Sequence, residues 1–417
     1  MATRSSSLVL SAAITVATAM LVSASETSGT TSVIHSFGGR SVAEYPYSDL
    51  VLDGSGTLYG MTVLGGDFGS GTVFSLSPPS GATRGWTETV LHSFSSTADG
   101  GQPYGGVTLD SQGNLYGTAV VGGTGGSCVE DGCGVVWKLT NSGGTWSQHV
   151  IYNFTGGDDG YGPGGPVVFD SLGNLYGMTA TGGAYGLGVV YQLSPDPSDH
   201  WTLTVVHAFT GGEDGGAGSA GRLLIDADQN IYVVATVGGP YGAGVIFHLA
   251  PSSSGPWKQT TLYSFKGQPD GSFPYGGLVR DTSGNFYGTT YYGGKYGVGA
   301  VYALEQVKGK WRERVLHSFS DGTGGSFPIS HLVLDSSGTL YGTTSEGGAP
   351  GCSCGTIFSL TQVGQGVWEE RIVHRFAGVP DGSFAYNGLV ADSLGNYYGT
   401  TAYGGNDDDG VVYKFTP

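Results

Sequence analysis

Three side chains interrupt a column of otherwise small or apolar residues. Where each repeat of the chain leads into its first strand-like run, the sequence carries Asp49, Gly106, Pro166, Arg222, Gly277, His331 and Gly388 in turn. A carboxylate, a guanidinium and an imidazole brought together are equipped for acid–base chemistry. The imidazole exchanges a proton near neutral pH, the carboxylate orients it, and the cation receives an anion. Asp49, Arg222 and His331 are therefore the candidates for catalysis, with Glu130, Asp131 and Glu346 on loops of the same side. The bland alternative is a solvated entrance.

A second set could bind without reacting. Tyr104, Tyr161, Tyr185, Tyr241, Tyr275, Tyr296 and Tyr403 stand in glycine-rich loops, with Asp158, Asp159, Asp214, Asp270 and Asp381 nearby in sequence. Aromatic faces beside carboxylates suit sugars or cations. The competing reading has the rings fill gaps and the aspartates hold Asp-Gly turns, and it is the preferred one.

Other reactive-looking sets read as architecture. Asp53, Asp110, Asp170, Asp226, Asp281, Asp335 and Asp392 recur once per repeat, where a carboxylate accepts backbone N–H groups at a hairpin. His35, His92, His207, His317 and His374 share another column, filled by Tyr152 and Tyr263 elsewhere. Spread over different repeats, they cannot meet at one metal, so no metal site is expected. Cys128 with Cys133, and Cys352 with Cys354, are expected as two loop disulfides.

The elements that must position these residues follow from self-similarity. One tripeptide recurs around Tyr59, Tyr116, Tyr176, Tyr232, Tyr287, Tyr341 and Tyr398, a period of about 55 residues that belongs to solenoids, propellers and arrays. Each unit holds four strand-like runs; in the fifth they are 277–281, 285–292, 300–304 and 311–319. The fourth run ends at Phe37, Phe94, Phe154, Phe209, Phe265, Phe319 and Phe376. Its first copy precedes any complete unit, and the last unit stops after its third run. The N-terminal run is thus expected to complete the last sheet and close a ring, giving an all-β, seven-bladed propeller of four-stranded blades. In that ring the long second-to-third and fourth-to-first connections share one face, with Asp49, Arg222 and His331 at the channel mouth.

The unit L-x-x-D-x-x-G-N-L-Y-G-T-T-x-x-G-G-x-x-G-x-G-x-V-F-x-L resembles the bacterial GloVer-type tandem repeats, over residues 31–416. More remotely, its D-x-x-G-N-L-Y segment resembles blade turns of NHL and gluconolactonase-like propellers. The first resemblance implies repeats and export, often with a C-terminal anchor, and no assigned activity.

Composition narrows the rest. Glycine is present 79 times, roughly 19 % against roughly 7 % on average, which places much of the chain in turns. A net charge of −17 repels phosphate backbones and argues against nucleic acid. Residues 1–24 read as a signal peptide, with Arg4 before an apolar run and small residues up to Ala24, leaving a single propeller domain over 25–417. No later segment reaches a membrane-spanning length. The expectation is a secreted or periplasmic, cofactor-free monomer that binds a glycan or another envelope protein without catalysis of its own. Its alternatives are a polysaccharide lyase or glycoside hydrolase at the channel mouth, and a purely structural envelope protein.

Overall fold

Every tyrosine-centred tripeptide of the repeat falls in the second strand of a four-stranded antiparallel sheet, and seven such sheets form the ring of a β-propeller. The computed structural model describes residues 29–417 apart from 39–42, 82–83, 129–130, 217–220 and 253–254. The signal-peptide stretch and Glu130 lie outside the described residues. The fifth blade is representative: Val279–Arg280 innermost, then Phe286–Thr290, Ala300–Val307 and Lys310–Ser318 at the rim. The inner strand is only two residues long, and the third strand runs further than its sequence suggests.

Two packing rules recur. The glycine of L-Y-G faces an aromatic residue of the third strand, as Gly117 faces Trp137. A Cβ on Gly117 would stand 2.4 Å from the Trp137 ring, so the second strand must be bare there for the indole to lie flat on it. In the fourth blade Val233 takes that place opposite Phe247. The phenylalanine closing each outer strand then reaches the next blade's third-strand aromatic. Phe94 meets Trp137 at 5.8 Å, Phe154 meets Tyr191 at 5.2 Å and Phe376 meets Tyr413 at 5.1 Å. These ring pairs hold neighbouring blades together, and all seven phenylalanines are buried.

The repeated aspartates hold the inner hairpins as expected. Asp110 accepts the backbone N–H groups of Gln112 and Asn114 at 2.8 and 2.9 Å and the Tyr116 hydroxyl at 3.2 Å. The same aspartate–tyrosine bond recurs in every blade but the sixth, from Asp53–Tyr59 to Asp392–Tyr398. The tripeptide tyrosine is therefore a clamp on its own hairpin. The histidine column sits at the rim. His92, His207 and His374 pair with Asp99, Asp214 and Asp381, while His35 and His317 reach Glu88 and Glu370 of a neighbouring blade.

On the opposite face each fourth-to-first loop pairs briefly with the second-to-third loop that follows it. Ala43–Glu44 joins Leu64–Gly65, Gly271–Ser272 joins Tyr292–Gly293, and single bridges such as Ser326 with Glu346 do the same elsewhere. These ribbons turn the glycine-rich loops into a braced platform, a feature the sequence did not suggest. Both cysteine pairs fall on this face at disulfide distance, with Cα separations of 5.3 Å for Cys128–Cys133 and 5.2 Å for Cys352–Cys354.

Ring closure runs through the chain's two ends. Thr30–Ser36 pairs antiparallel with Val411–Thr416 as the outer strand of the seventh blade. Phe37 follows it, donates its N–H to Gly410 O at 3.0 Å, and packs on Phe74 of the first blade at 5.1 Å. If that strand carries the same load as its chain-continuous counterparts, Phe37→Ala should cost about 3–5 kcal/mol in urea unfolding, matching Phe209→Ala. A Phe37→Ala cost below about 1 kcal/mol would contradict the closure.

Candidate functional site

The three residues that break the small column meet, as side chains, at one end of the central channel. Asp49 enters the first blade, Arg222 the fourth and His331 the sixth, and all three line a cavity of about 340 Å³ on the loop face. Beneath it the inner strands form a shaft of about 330 Å³ walled by residues such as Leu224, Val279, Leu334 and Val390. Below Arg222 and His331 its lining, drawn from the fourth to the seventh blade, is glycine and aliphatic side chains, so the site has a polar mouth over an apolar throat.

Contact between Asp49 and His331 spans a whole blade. His331 Nδ1 lies 3.3 Å from Asp49 Oδ2, and Gly388 of the intervening seventh blade donates its N–H to Asp49 Oδ1 at 3.0 Å. The imidazole passes directly over Gly388: a Cβ there would stand 2.0 Å from His331 Cε1. Glycine at 388 is what lets the two side chains touch. Gly277 and Gly106 are close-packed for a different reason: a Cβ there would stand 2.8 Å from the Arg222 carbonyl oxygen and 3.1 Å from Asp49 Cβ, so it is the neighbouring backbone, and not a long side chain, that crowds them.

Electrostatics fix the protonation of the pair's acid. Burial, the largest single influence, pushes the Asp49 carboxyl up, but His331, Arg222 and the Gly388 N–H outweigh it and hold it at about 2. Asp49 is therefore anionic throughout the physiological range. Nδ1 of His331 faces that carboxylate, which leaves Nε2 as the ring nitrogen without a protein hydrogen-bond partner among the described residues. Arg222 is exposed, and among the described residues no carboxylate lies within 4.0 Å of its guanidinium, although its field reaches Asp49.

Aromatic rings complete the cavity. Of the seven candidate tyrosines, Tyr104 and Tyr275 line it. Tyr47 and Tyr386 also line it, stacked on each other at 5.1 Å and 15°. Sequence reasoning passed over both, yet Tyr47, Tyr104, Tyr275 and Tyr386 all stand two residues before the inner-ring column, and that register would have found them. Burial raises the hydroxyl pKa of Tyr47, Tyr275 and Tyr386, so these phenols stay protonated at neutral pH.

The other five tyrosines lie elsewhere. Tyr185, Tyr241 and Tyr296 are exposed on the loop face away from the cavity. Tyr161 and Tyr403 sit in the bracing ribbons, Tyr403 against Tyr45 at 5.1 Å. Among the aspartates offered as acceptors, Asp159, Asp214, Asp270 and Asp381 are engaged by their own loops, each taking a backbone N–H and the histidine or tyrosine seven residues earlier. Glu346 lies close enough to influence Tyr386 but does not line the cavity.

Comparison with known proteins agrees with this architecture. The family described as the Gloeobacter/Verrucomicrobia repeat matches residues 126–312 and 220–417. None of the curated proteins matches the chain. Among solved structures, a candidate 6-phosphogluconolactonase from Bacteroides uniformis is similar at 15 % identity, over 86 % of this chain and 98 % of that one, with a TM-score of 0.51. A candidate oxidoreductase (glucose dehydrogenase) from Thermus thermophilus is 17 % identical over 82 % and 98 %, with a TM-score of 0.44. At such identities the first likeness shows the fold alone, and the second carries no argument.

Two outcomes test the geometry. Gly388→Ala should destabilise by about 1–3 kcal/mol through overpacking, and most of that cost should vanish in a His331→Gly background. Because the Asp49 pKa is depressed on folding, its contribution is present above the ordinary value of 3.8 and fades as pH falls towards 2. Asp49→Asn should therefore cost about 2 kcal/mol at pH 7, with the gap to the parent protein closing across that acid range in pH-dependent urea unfolding.

Proposed function

The chain belongs to the Gloeobacter/Verrucomicrobia repeat family, and from that premise we propose that it is a propeller that binds a carboxylate-bearing saccharide at the loop-face mouth of its channel. One observation carries the reading: Arg222, with no carboxylate within salt-bridge reach among the described residues, shares a single cavity with the Asp49–His331 pair and four tyrosines. Tyrosine faces pack against the apolar faces of sugar rings, and a guanidinium grips a carboxylate through two parallel hydrogen bonds. The cavity volume falls within the range of small-ligand sites. On a protein of net charge −17, a cation at the mouth is a local reversal of the surrounding field.

Two cysteine pairs at bonding distance support placement in an oxidising compartment, secreted or periplasmic. There the partner is a glycan or another component of the envelope. A scaffold that only binds needs nothing beyond this site. A glycoside hydrolase of the usual kind needs two carboxyl groups about 5 to 9.5 Å apart, and Asp49 is the single carboxylate among the cavity's described lining residues.

Isothermal titration of the purified protein with oligouronates and matched neutral oligosaccharides tests the reading. Binding should be confined to the charged series, and Arg222→Ala should weaken it roughly tenfold to a hundredfold. Equal affinity for neutral chains, or an unchanged affinity in Arg222→Ala, contradicts it.

A further inference from the structure

The same cavity holds what an elimination reaction requires, and we infer that this protein cleaves a uronate-containing glycan by β-elimination, with His331 as the base; this rests on the binding reading above.

Three chemistries compete for an Asp–His pair beside an arginine. Acyl transfer needs a nucleophile in contact with the imidazole, and Ser330, next in sequence, lines the cavity. Its hydroxyl is buried and accepts from Thr343 Oγ1 at 2.9 Å instead. Ser48 does equivalent work in the first blade, bonding the backbone of Met61. Ser330 is therefore a strand brace. Hydrolysis by two carboxyl groups lacks its second carboxyl. Elimination needs neither. It needs a cation to neutralise the substrate carboxylate and so acidify the adjacent C–H, a base for that proton, and an acid for the leaving oxygen.

Each requirement is met by a side chain of the cavity. Arg222 receives the uronate carboxylate. His331, held through Nδ1 by Asp49, presents Nε2 to the C5 proton. As that proton moves to Nε2, its electron pair forms the C4–C5 double bond and the C4–O bond breaks. The departing oxygen takes a proton from a phenol of the stacked Tyr47–Tyr386 pair. Solvent returns one proton to the phenol and removes one from the imidazole. No water is added to the sugar, and no oxidant or reductant takes part. Asp49 acts through His331 and is a positioning residue.

The test is incubation of the full chain with oligogalacturonate, oligomannuronate, oligoguluronate and oligoglucuronate. The readouts are the ultraviolet absorbance of the conjugated enoate and the product masses. At least one series should yield fragments whose masses sum to the substrate with no water gained. His331→Ala should lower the rate at least about a hundredfold while keeping uronate binding, with a loss of stability no larger than that of Asp49→Asn. Asp49→Asn should slow turnover and displace its pH profile. Tyr47→Phe with Tyr386→Phe should slow turnover while leaving ring stacking in place. Uronate binding without enoate formation overturns elimination and leaves the binding reading standing. Absence of binding to every uronate removes both. Cleavage that adds water, or enoate formation indifferent to His331→Ala, overturns the mechanism.

Discussion

Pairing between Thr30–Ser36 and Val411–Thr416 decides whether this molecule has a site at all. Asp49 belongs to the first blade, Gly388 to the seventh and His331 to the sixth, so the cluster straddles the seam where the two ends of the sequence meet. Further bonds cross there. Asn387 Nδ2 donates to Pro46 O at 3.2 Å, and Asn406 N donates to Ser36 Oγ at 2.8 Å. A ring held only by its six chain-continuous junctions would leave the carboxylate and the imidazole on opposite lips of a gap. Antiparallel strand pairing and the Phe37–Phe74 contact convert residues more than 280 positions apart into neighbours.

Repetition and function pull against each other in such a ring. Seven near-identical units give a rigid frame because the same aspartate clamp and the same phenylalanine wedge recur at each step, with a bare glycine under an aromatic ring in every blade but the fourth. An identical residue at every inner position would give a symmetric rosette with no direction. The chain resolves this at one column, where three polar side chains alternate with glycines and a proline. Gly388 is a consequence of the polar neighbour lying across it, the His331 imidazole. Asymmetry is thus confined to a few positions and leaves the frame intact.

Much of this was legible in the sequence. The repeat, the count of seven, the closing strand and the loop face all follow from spacing, because each unit must bury its apolar strands against its neighbours. Asp49, Arg222 and His331 were visible as departures from a column. Their contact was not, since it depends on a side chain reaching across Gly388, and no spacing rule encodes how far a ring leans. Tyr47 and Tyr386 were hidden for a different reason: attention to tyrosines in the longest loops passed over the shared register two residues before the inner ring. The bracing ribbons escaped notice because they are built of glycine-rich backbone, which leaves no alternating side-chain pattern. For the same reason Tyr161 and Tyr403 looked like free loop residues when they are part of those ribbons.

Thr30 and Thr416 are partners in the seventh blade, and Thr416 Oγ1 donates to Asn396 Oδ1 in that blade's inner hairpin at 2.7 Å. Both termini of the described fold therefore leave from the hairpin side, at the far end of the axis from Asp49 and His331. Polypeptide or surface joined at either point would carry the ring like a dish on a stalk. The aperture would look outward, and solutes would arrive at it without passing the tether.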